Sequence, residues 1–378
     1  MNGKMKLVLV FHDLEKEHLG KDVFLVPYYW GKCNNYDVEI VYPQTQTNKL
    51  LPRKYRGVRL TPLNLLLPKK IYRLWYYEWI MRSCLYLRKN AANIDLLVCF
   101  HLYFRTFLNI RTYKTFNPKG KVYIKLDIPD FIIRKIQKRE NNIFWHYIYA
   151  RTIANSNILS VETSDCFQKM KSLECLKEDS EKLIFMPNGF DSECANELGI
   201  IPQAMEHKKN VMITVGRIGT KQKNNELFME ALSHINTKDW KFYFIGNIES
   251  SFHTTIKEFY KKNPTLKNRV IFTGAILDKK ELWSYFNNSK VFVLTSTWES
   301  YGLVLNEARY FHNYILSTDV GAANDIVNNT FGKVLPLNIM AFKECLQSII
   351  DGDIDIDVYN KINNDDIIWE TMIKKIQL

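Results

Sequence analysis

Short apolar runs recur along the chain at intervals that suit buried strands with helices between them. In the first half, these runs are rich in Val, Ile, Leu and Phe and are bounded by polar or turn-forming residues. Continuous apolar runs of this length are typical of parallel strands, which are buried on both faces. The pattern therefore predicts a parallel sheet covered by helices. The predicted strands are residues 6–11, 38–42, 96–100, 122–126, 158–161 and 183–186.

The same alternation begins again in the second half, which predicts a second unit of the same kind. The runs there are again short, apolar and separated by segments of helical length. The predicted strands are residues 211–215, 240–245, 270–273, 291–294 and 314–317.

A change of pattern near residue 190 marks the predicted domain boundary. A strand stops at the turn signal Pro187-Asn188-Gly189, and the polar stretch up to residue 209 has no clear period. We therefore predict an N-terminal domain over residues 1–190 and a C-terminal domain over residues 191–360. Residues 361–378 carry apolar side chains at helical spacing and are predicted to form a terminal helix.

Composition narrows the class of protein. With 378 residues, of which 46% are hydrophobic, the chain is long enough for about two domains. A formal charge of +12 favours anionic partners. The seven cysteines are scattered without a Cys-x-x-Cys pair, which argues against a disulfide framework or a structural zinc site and favours a reducing compartment. No run approaches the roughly 20 apolar residues of a membrane span, and the first run is interpreted as a strand, not a signal peptide.

Candidate chemistry lies where a predicted strand of the second domain ends. Glu299 follows the strand at residues 291–294, and Glu307 lies eight positions later. Gly302 interrupts the apolar pattern between them, and a helical pattern begins at Leu303. Glu299 is therefore expected on a loop and Glu307 in the early turns of a helix whose first amides carry partial positive charge. Such a site can hold hydroxyls and phosphate together.

A second loop of this domain adds cations. The strand at residues 211–215 ends in Gly216 and Arg217, and a polar loop through Lys223 precedes a helical pattern. A planar guanidinium, an ammonium and free loop amides together bind phosphoryl oxygens. Lys221 is the alternative to Lys223 for the ammonium.

In this order the two motifs resemble the signature of retaining glycosyltransferases with the GT-B fold, glycosyltransferase family four. The resemblance implies an α/β chain of two Rossmann-like, doubly wound domains facing a central cleft, with the terminal helix packing back on the first domain. It implies that Arg217 and Lys223 bind the donor diphosphate, that Glu299 lies against the donor sugar and that Glu307 binds the ribose hydroxyls. The further donor contacts that we expect with it, including a base pocket lined by glycines, are Gly216, Gly246, Gly274, Ala275, Ile276, Tyr301, Gly302 and Leu303.

The resemblance covers the first domain only in outline, so its candidate residues rest mainly on strand ends. Asp127 follows the fourth predicted strand, where the family often has a histidine or an aspartate close to the donor sugar. The alternative is that Asp127 caps the following helix. Gly20 and Lys21 lie where the family usually has a glycine pair near the phosphate and the acceptor. His12 and His101 end apolar strands and are alternative polar groups on the acceptor side.

The expected activity is that of a retaining, metal-independent hexosyltransferase with no cofactor. It would move a sugar from a UDP-sugar or GDP-sugar to a hydroxyl of a lipid-linked or growing glycan in capsule or lipopolysaccharide synthesis. Glu299, Asp127, Arg217 and Lys223 are the predicted catalytic residues. The rivals are a sugar-nucleotide epimerase or glycan phosphorylase of the same fold, and a basic nucleic-acid-binding protein. The last lacks any finger spacing or RNA-binding aromatic motif, so no nucleic-acid partner is predicted.

Two basic, aromatic segments of helical length, residues 69–89 and 131–151, leave two interpretations open. They can lie on an anionic membrane surface with Trp75, Trp79 and Trp145 at the interface. They can equally be ordinary amphipathic helices whose aromatics belong to the core. Together with the resemblance, the first interpretation predicts a cytoplasmic protein at the inner face of the plasma membrane.

Overall fold

Two parallel sheets organise the chain, and each has hydrophobic core on both faces. The computed structural model describes residues 4–359 and 364–378. The chain divides into a first unit, Met1–Gly189 with Trp369–Leu378, and a second unit, Phe190–Ile368. The prediction of two Rossmann-like units is confirmed.

The first unit is built on an eight-stranded sheet. Its strands are β1 (Met5–Val10), β2 (Tyr36–Pro43), β3 (Lys54–Tyr55), β4 (Val58–Leu63), β5 (Leu96–Phe100), β6 (Lys121–Leu126), β7 (Ile158–Val161) and β8 (Leu183–Phe185). Across the sheet they run in the order β3-β4-β2-β1-β5-β6-β7-β8, and all neighbours are parallel except β3 and β4. The strand order therefore reverses between β1 and β5, which is where open α/β sheets bind their ligands.

Helices cover both faces of this sheet. They are α1 (Asp22–Asn34), α2 (Tyr72–Asn90), α3 (Phe104–Phe116), α4 (Asp130–Glu140), α5 (Ile143–Ala154), α6 (Ser164–Lys171) and α14 (Trp369–Ile373). Successive strand residues point to opposite faces, so Val8 joins the core under α2 to α6 while Leu7 joins the core under α1 and α14. Short 3₁₀ segments cover Lys16–Gly20, Ala91–Asn93 and Glu174–Lys182.

The second unit has six parallel strands and its own helices. The strands are β9 (Lys209–Val215), β10 (Lys241–Ile245), β11 (Val270–Gly274), β12 (Ser289–Leu294), β13 (Tyr314–Thr318) and β14 (Gly332–Leu335). The helices are α7 (Ser192–Glu197), α8 (Asn225–Ser233), α9 (Phe252–Lys262), α10 (Lys279–Asn288), α11 (Leu303–Tyr310), α12 (Ala323–Val327) and α13 (Ile339–Asp351). The order β11-β10-β9-β12-β13-β14 is the Rossmann order 3-2-1-4-5-6, with its switch point between β9 and β12.

Two kinds of difference from the predicted elements have physical causes, namely missed strands and a shortened helix. β3, β4 and β14 are absent from the prediction because the first is two residues long, the second contains a proline and the third is short and begins with a glycine. The terminal helix is also shorter than predicted, since residues 364–367 form a 3₁₀ turn before α14. The predicted boundary between residues 360 and 361 lies outside the described residues.

Candidate functional site

The two motif loops of the second unit meet at its switch point. The loop after β9 and the loop after β12 are tied together by backbone and side-chain hydrogen bonds. Thr297 N donates to Gln222 O at 2.7 Å, and Thr295 Oγ1 donates to Lys223 O at 3.0 Å. Because β9 and β12 are adjacent and parallel, their carboxyl ends bring residues 75 positions apart into one small region.

Lys223 and Glu299 form an ion pair at the centre of this region. Lys223 Nζ lies 2.5 Å from Glu299 Oε1, and the two side chains are only 15% and 10% exposed. Ser296 Oγ donates to the same carboxylate oxygen at 2.6 Å. Lys221 lies in the same loop with an exposed side chain, so it is Lys223 that the fold brings to the glutamate.

Arg217 lies at the edge of the same group and is linked to it through Gln222. The Arg217 guanidinium donates to Gln222 Oε1 at 2.7 Å. Gln222 Nε2 in turn donates to Trp298 O at 3.1 Å and lies 3.4 Å from Glu299 Oε2. Gln222 therefore joins the guanidinium to the carboxylate, and the carboxylate holds the ammonium. This arrangement can receive an anion and hydroxyls side by side.

Glycines allow the backbone segments at this sheet edge to approach each other closely. A Cβ on Gly246 would overlap the carbonyl oxygen of Gly216, and one on Gly321 would overlap the carbonyl oxygen of Tyr301. Gly302 is the N-cap of α11 at φ 90°, a conformation that favours glycine, and it offers no side chain to the first-turn amides. These amides of α11 therefore depend on other partners, which is the condition for anion binding at a helix start.

Glu307 occupies a different environment from Glu299. Its Oε1 accepts a hydrogen bond from Trp283 Nε1 of α10 at 2.9 Å. Burial raises the pKa of Glu307, and this hydrogen bond and the charge of Lys279 act in the opposite direction. The carboxylate is held in a fixed position on α11, as a hydrogen-bond acceptor for hydroxyls would need to be.

The other predicted donor contacts divide into exposed backbone and buried side chains. Gly246 follows β10 and Gly274 ends β11, and Gly246 N donates to Gly274 O at 2.9 Å. Gly274 has open space where a Cβ would lie, and Ala275 beside it is exposed. Tyr301 is different, because its ring is 3% exposed and its hydroxyl donates to Asn306 at 3.2 Å. Tyr301 as a whole therefore belongs to the core, and its carbonyl oxygen accepts a hydrogen bond from Ala322 N at 2.8 Å. Ile276 and Leu303 are partly buried hydrophobic residues that pack against the same core.

In the first unit, Asp127 lies directly after β6 and does not cap the next helix. The N-cap of α4 is Pro129, and no side chain caps this helix. Asp127 instead lies close enough to three other ionisable side chains to affect their titration, namely Asp22, His101 and Glu162. The capping alternative for Asp127 is therefore wrong.

A buried ion cluster lies beneath Asp127. Lys125 is fully buried, with its Nζ 2.5 Å from Glu162 Oε1 and 3.7 Å from Asp22 Oδ2. Burial raises the pKa of Asp22 to about 6, against the effect of Lys125. Burial and the charge of Asp127 also raise the pKa of Glu162. Burial alone would lower the pKa of Lys125, but the two carboxylates outweigh it and raise that pKa. The cluster joins the first turn of α1 to β6 and to the end of β7.

His12 and His101 flank the switch point of the first sheet, after β1 and β5. Burial lowers the pKa of His101 to about 4, so its imidazole is neutral at pH 7. His101 has φ 61°, an uncommon backbone conformation for a residue with a side chain, and its N–H donates to Lys125 O at 2.9 Å. His12 Nε2 lies 3.5 Å from the Arg105 guanidinium. Two neutral imidazoles beside an arginine can accept hydrogen bonds from hydroxyls and donate hydrogen bonds to them.

We expect His12 to make the stability of the first unit fall in mild acid. Burial, with the charge of Arg105, lowers the pKa of His12 from 6.5 to about 2. Below pH 6.5 the unfolded chain therefore binds a proton at His12 that the folded chain does not, and stability is lost as the pH falls. Between pH 7 and pH 5 the wild type should lose about 2 kcal/mol more free energy of unfolding than His12→Gln, measured by urea titration. The exposed His207→Gln is the control, and an equal loss in both variants would contradict the expectation.

Gly20 and Lys21 lie in an ordered segment at the start of α1. Lys16–Gly20 is a 3₁₀ segment, and Lys21 is the N-cap residue of α1. The Lys21 ammonium is partly exposed, 3.6 Å from Glu17. The 3₁₀ segment is stabilised by a local side-chain contact, in which His18 Nδ1 accepts a hydrogen bond from Glu15 N at 2.9 Å. Sequence composition does not reveal a contact of this kind.

Of the three tryptophans considered for a membrane interface, two are buried and one is partly buried. Residues 69–89 form most of α2, but Trp75 and Trp79 are only 2% and 1% exposed and pack in the core. Trp145 of α5 is partly buried against the same core. Within the described ranges no helix is both long and apolar enough to cross a membrane.

Several residues of the site were missed by sequence reasoning. Their roles depend on contacts between distant segments, which spacing does not reveal. For Gln222 and Ser296, their place inside the two motif loops was a signal that could have been used. The missed residues are Gln222, Ser296, Trp283, Asp22, Lys125, Glu162 and Arg105.

Comparisons with known proteins show what this chain is similar to. Residues 200–364 match the family model described as Glycosyl transferases group 1. A segment of 127 residues is 27% identical to an uncharacterized 41.2 kDa protein in the cps region of Klebsiella pneumoniae, and covers 34% of this chain and 32% of that protein. A segment of 195 residues is 29% identical to UDP-Gal:alpha-D-GlcNAc-diphosphoundecaprenol alpha-1,3-galactosyltransferase of Escherichia coli, and covers 48% of this chain and 49% of that protein. The chain thus spans half or less of the curated relatives that it matches.

Solved structures of low sequence identity share the whole fold. Sucrose-phosphate synthase from Thermosynechococcus elongatus has a TM-score of 0.67 at 14% identity, over 98% of this chain and 97% of that one. Anabaena HepE in complex with UDP and glucose has a TM-score of 0.61 at 13% identity, over 94% of this chain and 92% of that one. The chain has the GT-B fold. Within this GT-B chain, the family match covers the unit that contains Arg217, Lys223 and Glu299.

Proposed function

We propose that this protein is a retaining glycosyltransferase that uses a nucleoside-diphosphate sugar. The single observation that supports it most is the Lys223–Glu299 pair with Arg217 beside it, at the switch point of a Rossmann-ordered sheet. A cation pair suits a diphosphate, and a carboxylate held between the cations suits the sugar hydroxyls next to it. UDP-sugars and GDP-sugars are the donors we propose, with no further cofactor.

On binding, the donor diphosphate would replace Glu299 as the partner of Lys223. Arg217 and the first amides of α11 would contact the same phosphoryl oxygens. Glu299, freed from part of its ion pair, would accept hydrogen bonds from the sugar and fix its orientation. The Glu307 carboxylate, already held by Trp283, would accept from the ribose hydroxyls.

In the proposed reaction, the bond between the anomeric carbon and the diphosphate oxygen breaks while the acceptor oxygen bonds to the same face of that carbon. The electron pair goes to the departing diphosphate, and the acceptor proton goes to a phosphate oxygen. Arg217, Lys223 and the α11 amides stabilise the charge that develops there, which is commonly the largest catalytic term. We propose that the charge is balanced by these groups without a metal ion.

We propose a lipid-linked or growing surface glycan as the acceptor, bound by the first unit. The galactosyltransferase of Escherichia coli is named for an acceptor on diphosphoundecaprenol, and the cps-region protein is the other curated relative. His12, His101 and Asp127 supply polar groups at the carboxyl ends of β1, β5 and β6 for an acceptor hydroxyl. A position at the cytoplasmic face of the membrane follows from such an acceptor.

Donor binding is the first test of this proposal. A nucleoside-diphosphate sugar at 100 times its Kd should stabilise the protein by about 2.7 kcal/mol, which thermal unfolding detects as a raised Tm. We expect Arg217→Ala to remove most of the shift because its guanidinium contacts the diphosphate. Gln203→Ala, in the same unit but away from the switch point, is the control. If no UDP-sugar or GDP-sugar raises the Tm of the wild type, the proposal fails.

Product analysis separates the proposed activity from its rivals. With a chelator present, NMR should show the donor sugar on an acceptor oxygen with its anomeric configuration kept. Sugar found only on inorganic phosphate would indicate a phosphorylase, and an altered donor without transfer would indicate an epimerase.

A further inference from the structure

Helix α2 has an apolar stripe on its solvent side. Leu74, Tyr77, Met81 and Leu85 follow each other at helical spacing, and each is 50–53% exposed. The opposite side of the helix is the one that carries the tryptophans of the core. An exposed apolar row of this length is unusual on a folded surface and marks a place where a partner or ligand binds.

A groove runs from this stripe to the loop after β5. It has a volume of about 370 Å³, within the usual range of small-molecule sites. Aromatic rings dominate its walls, with Phe104 and Phe144 6.4 Å apart and Phe144 and Trp145 5.5 Å apart. Its lining comes from α2, the β5–α3 loop, α3, α4 and α5, and includes Tyr76, Tyr77, Leu102, Tyr103 and Phe144.

Cations lie at the groove and around it. The Arg139 guanidinium is part of the wall and lies 4.9 Å from the Trp145 ring. The Arg105 guanidinium lies 4.4 Å from the ring of Tyr103, which also lines the groove. The one acid of α2, Glu78, is buried, accepts hydrogen bonds from two backbone amides and pairs with Arg82 at 3.4 Å, so it does not contact Arg139 or Arg105.

The groove ends beside the acceptor-side candidates. Tyr103 contacts His101, with ring centroids 5.2 Å apart. Arg105, which stacks on Tyr103, is the residue whose guanidinium lies 3.5 Å from His12. An elongated ligand in the groove would thus have one end at His12 and His101 and the other at the stripe on α2.

We propose that this groove binds the hydrocarbon chain of a diphosphate-linked lipid acceptor, with Arg105 and Arg139 facing its diphosphate. An apolar, aromatic groove with Arg139 in its wall and Arg105 stacked on its Tyr103 complements an amphiphile that has an anionic head and an apolar chain. The head would lie toward His12 and His101, where the acceptor sugar is needed. The orientation of the lipid in the groove rests on the proposed function. Binding of the hydrocarbon chain can be measured without sugar transfer.

Two prenyl diphosphates with the same head group test the groove. Farnesyl diphosphate is longer than dimethylallyl diphosphate by two isoprene units, and both are titrated by calorimetry below the concentration at which the longer one aggregates. Since a diphosphate can also occupy the donor site, every titration is done in the Arg217→Ala background. We expect farnesyl diphosphate to bind at least about tenfold more tightly, which corresponds to about 1.4 kcal/mol.

Variants of exposed residues show whether the preference for the longer prenyl chain arises in the groove. Phe144→Ser should reduce the ratio of the two affinities to about threefold or less, with the affinity for dimethylallyl diphosphate unchanged, and Tyr77→Ser should act in the same direction. Arg139→Gln should weaken both ligands by the same factor, because it contacts the shared head. Leu50→Ser is the control, since Leu50 is an exposed apolar residue of the same unit outside the groove. All four side chains are at least partly exposed, so an unchanged Tm is expected.

Two results would overturn the assignment. One is equal affinity for the two prenyl diphosphates, or a ratio that Phe144→Ser leaves unchanged. The other is a preference for the longer chain that exists only when anionic vesicles are added, which would indicate a surface for the bilayer itself. Failure of donor binding with retained chain discrimination would reject the proposed function and keep the groove, so the two failures are distinguishable.

Discussion

Lys223→Ala is expected to lower kcat/KM for sugar transfer by about 10²–10³-fold, or about 2.7–4 kcal/mol of transition-state stabilisation. The ammonium is held 2.5 Å from Glu299 and is mostly buried, so it acts in a region of reduced dielectric. Its removal takes one of two side-chain cations from the leaving diphosphate. It also leaves the Glu299 carboxylate without its ion-pair partner beside the incoming phosphates. Steady-state kinetics with a nucleoside-diphosphate sugar measures the loss.

Lys221→Ala is the matched control for this experiment. Lys221 lies two positions earlier in the same loop, with the same charge but an exposed side chain. We expect its replacement to change kcat/KM by less than about threefold, since a solvated cation contributes little. A large loss at Lys221 with a small one at Lys223 would show that the wrong lysine has been assigned to the diphosphate.

The grouping of Gly216, Arg217 and Glu299 could be predicted from the sequence because these residues follow strand ends. Apolar runs identify β9 and β12, and the loops that follow those runs contain Gly216, Arg217 and Glu299. Once the strands are parallel neighbours, their carboxyl ends must lie at the same sheet edge. Local pattern and topology together therefore place these groups near each other.

The contacts that organise the site could not be predicted in this way. Trp283 reaches Glu307 because α10 packs beside α11, and no spacing along the chain encodes that contact. Gln222 joins Arg217 to Glu299 because its side chain adopts a rotamer that reaches both, and residue spacing does not specify that rotamer. Lys125 lies in an apolar strand. Its charge is paired only because α1 and the end of β7 place two acids beside it.

Lys125→Met is expected to destabilise the first unit by about 3–5 kcal/mol at pH 8, because it leaves the buried carboxylates of Glu162 and Asp22 without their cation. Urea unfolding monitored by circular dichroism measures the loss. Lys177→Met is the control. Lys177 and Glu174 form an exposed pair 3.7 Å apart, whose loss should cost less than about 0.5 kcal/mol.

The pH dependence of this loss distinguishes a buried ion cluster from lost packing. Burial raises the pKa of Asp22 from 3.8 to about 6, so the folded chain keeps a proton that the unfolded chain releases, and this group's contribution to stability falls as the pH rises through that window. Without Lys125 the pKa values of Asp22 and Glu162 rise further, and both acids are protonated more readily on acidification. The deficit of Lys125→Met relative to the wild type should therefore be smaller at pH 5 than at pH 8.

Adding Glu162→Gln should recover part of the stability at pH 8, since one of the two unpaired charges is then gone. A deficit that is the same at both pH values and unaffected by Glu162→Gln would mean that Lys125 stabilises the unit by packing alone.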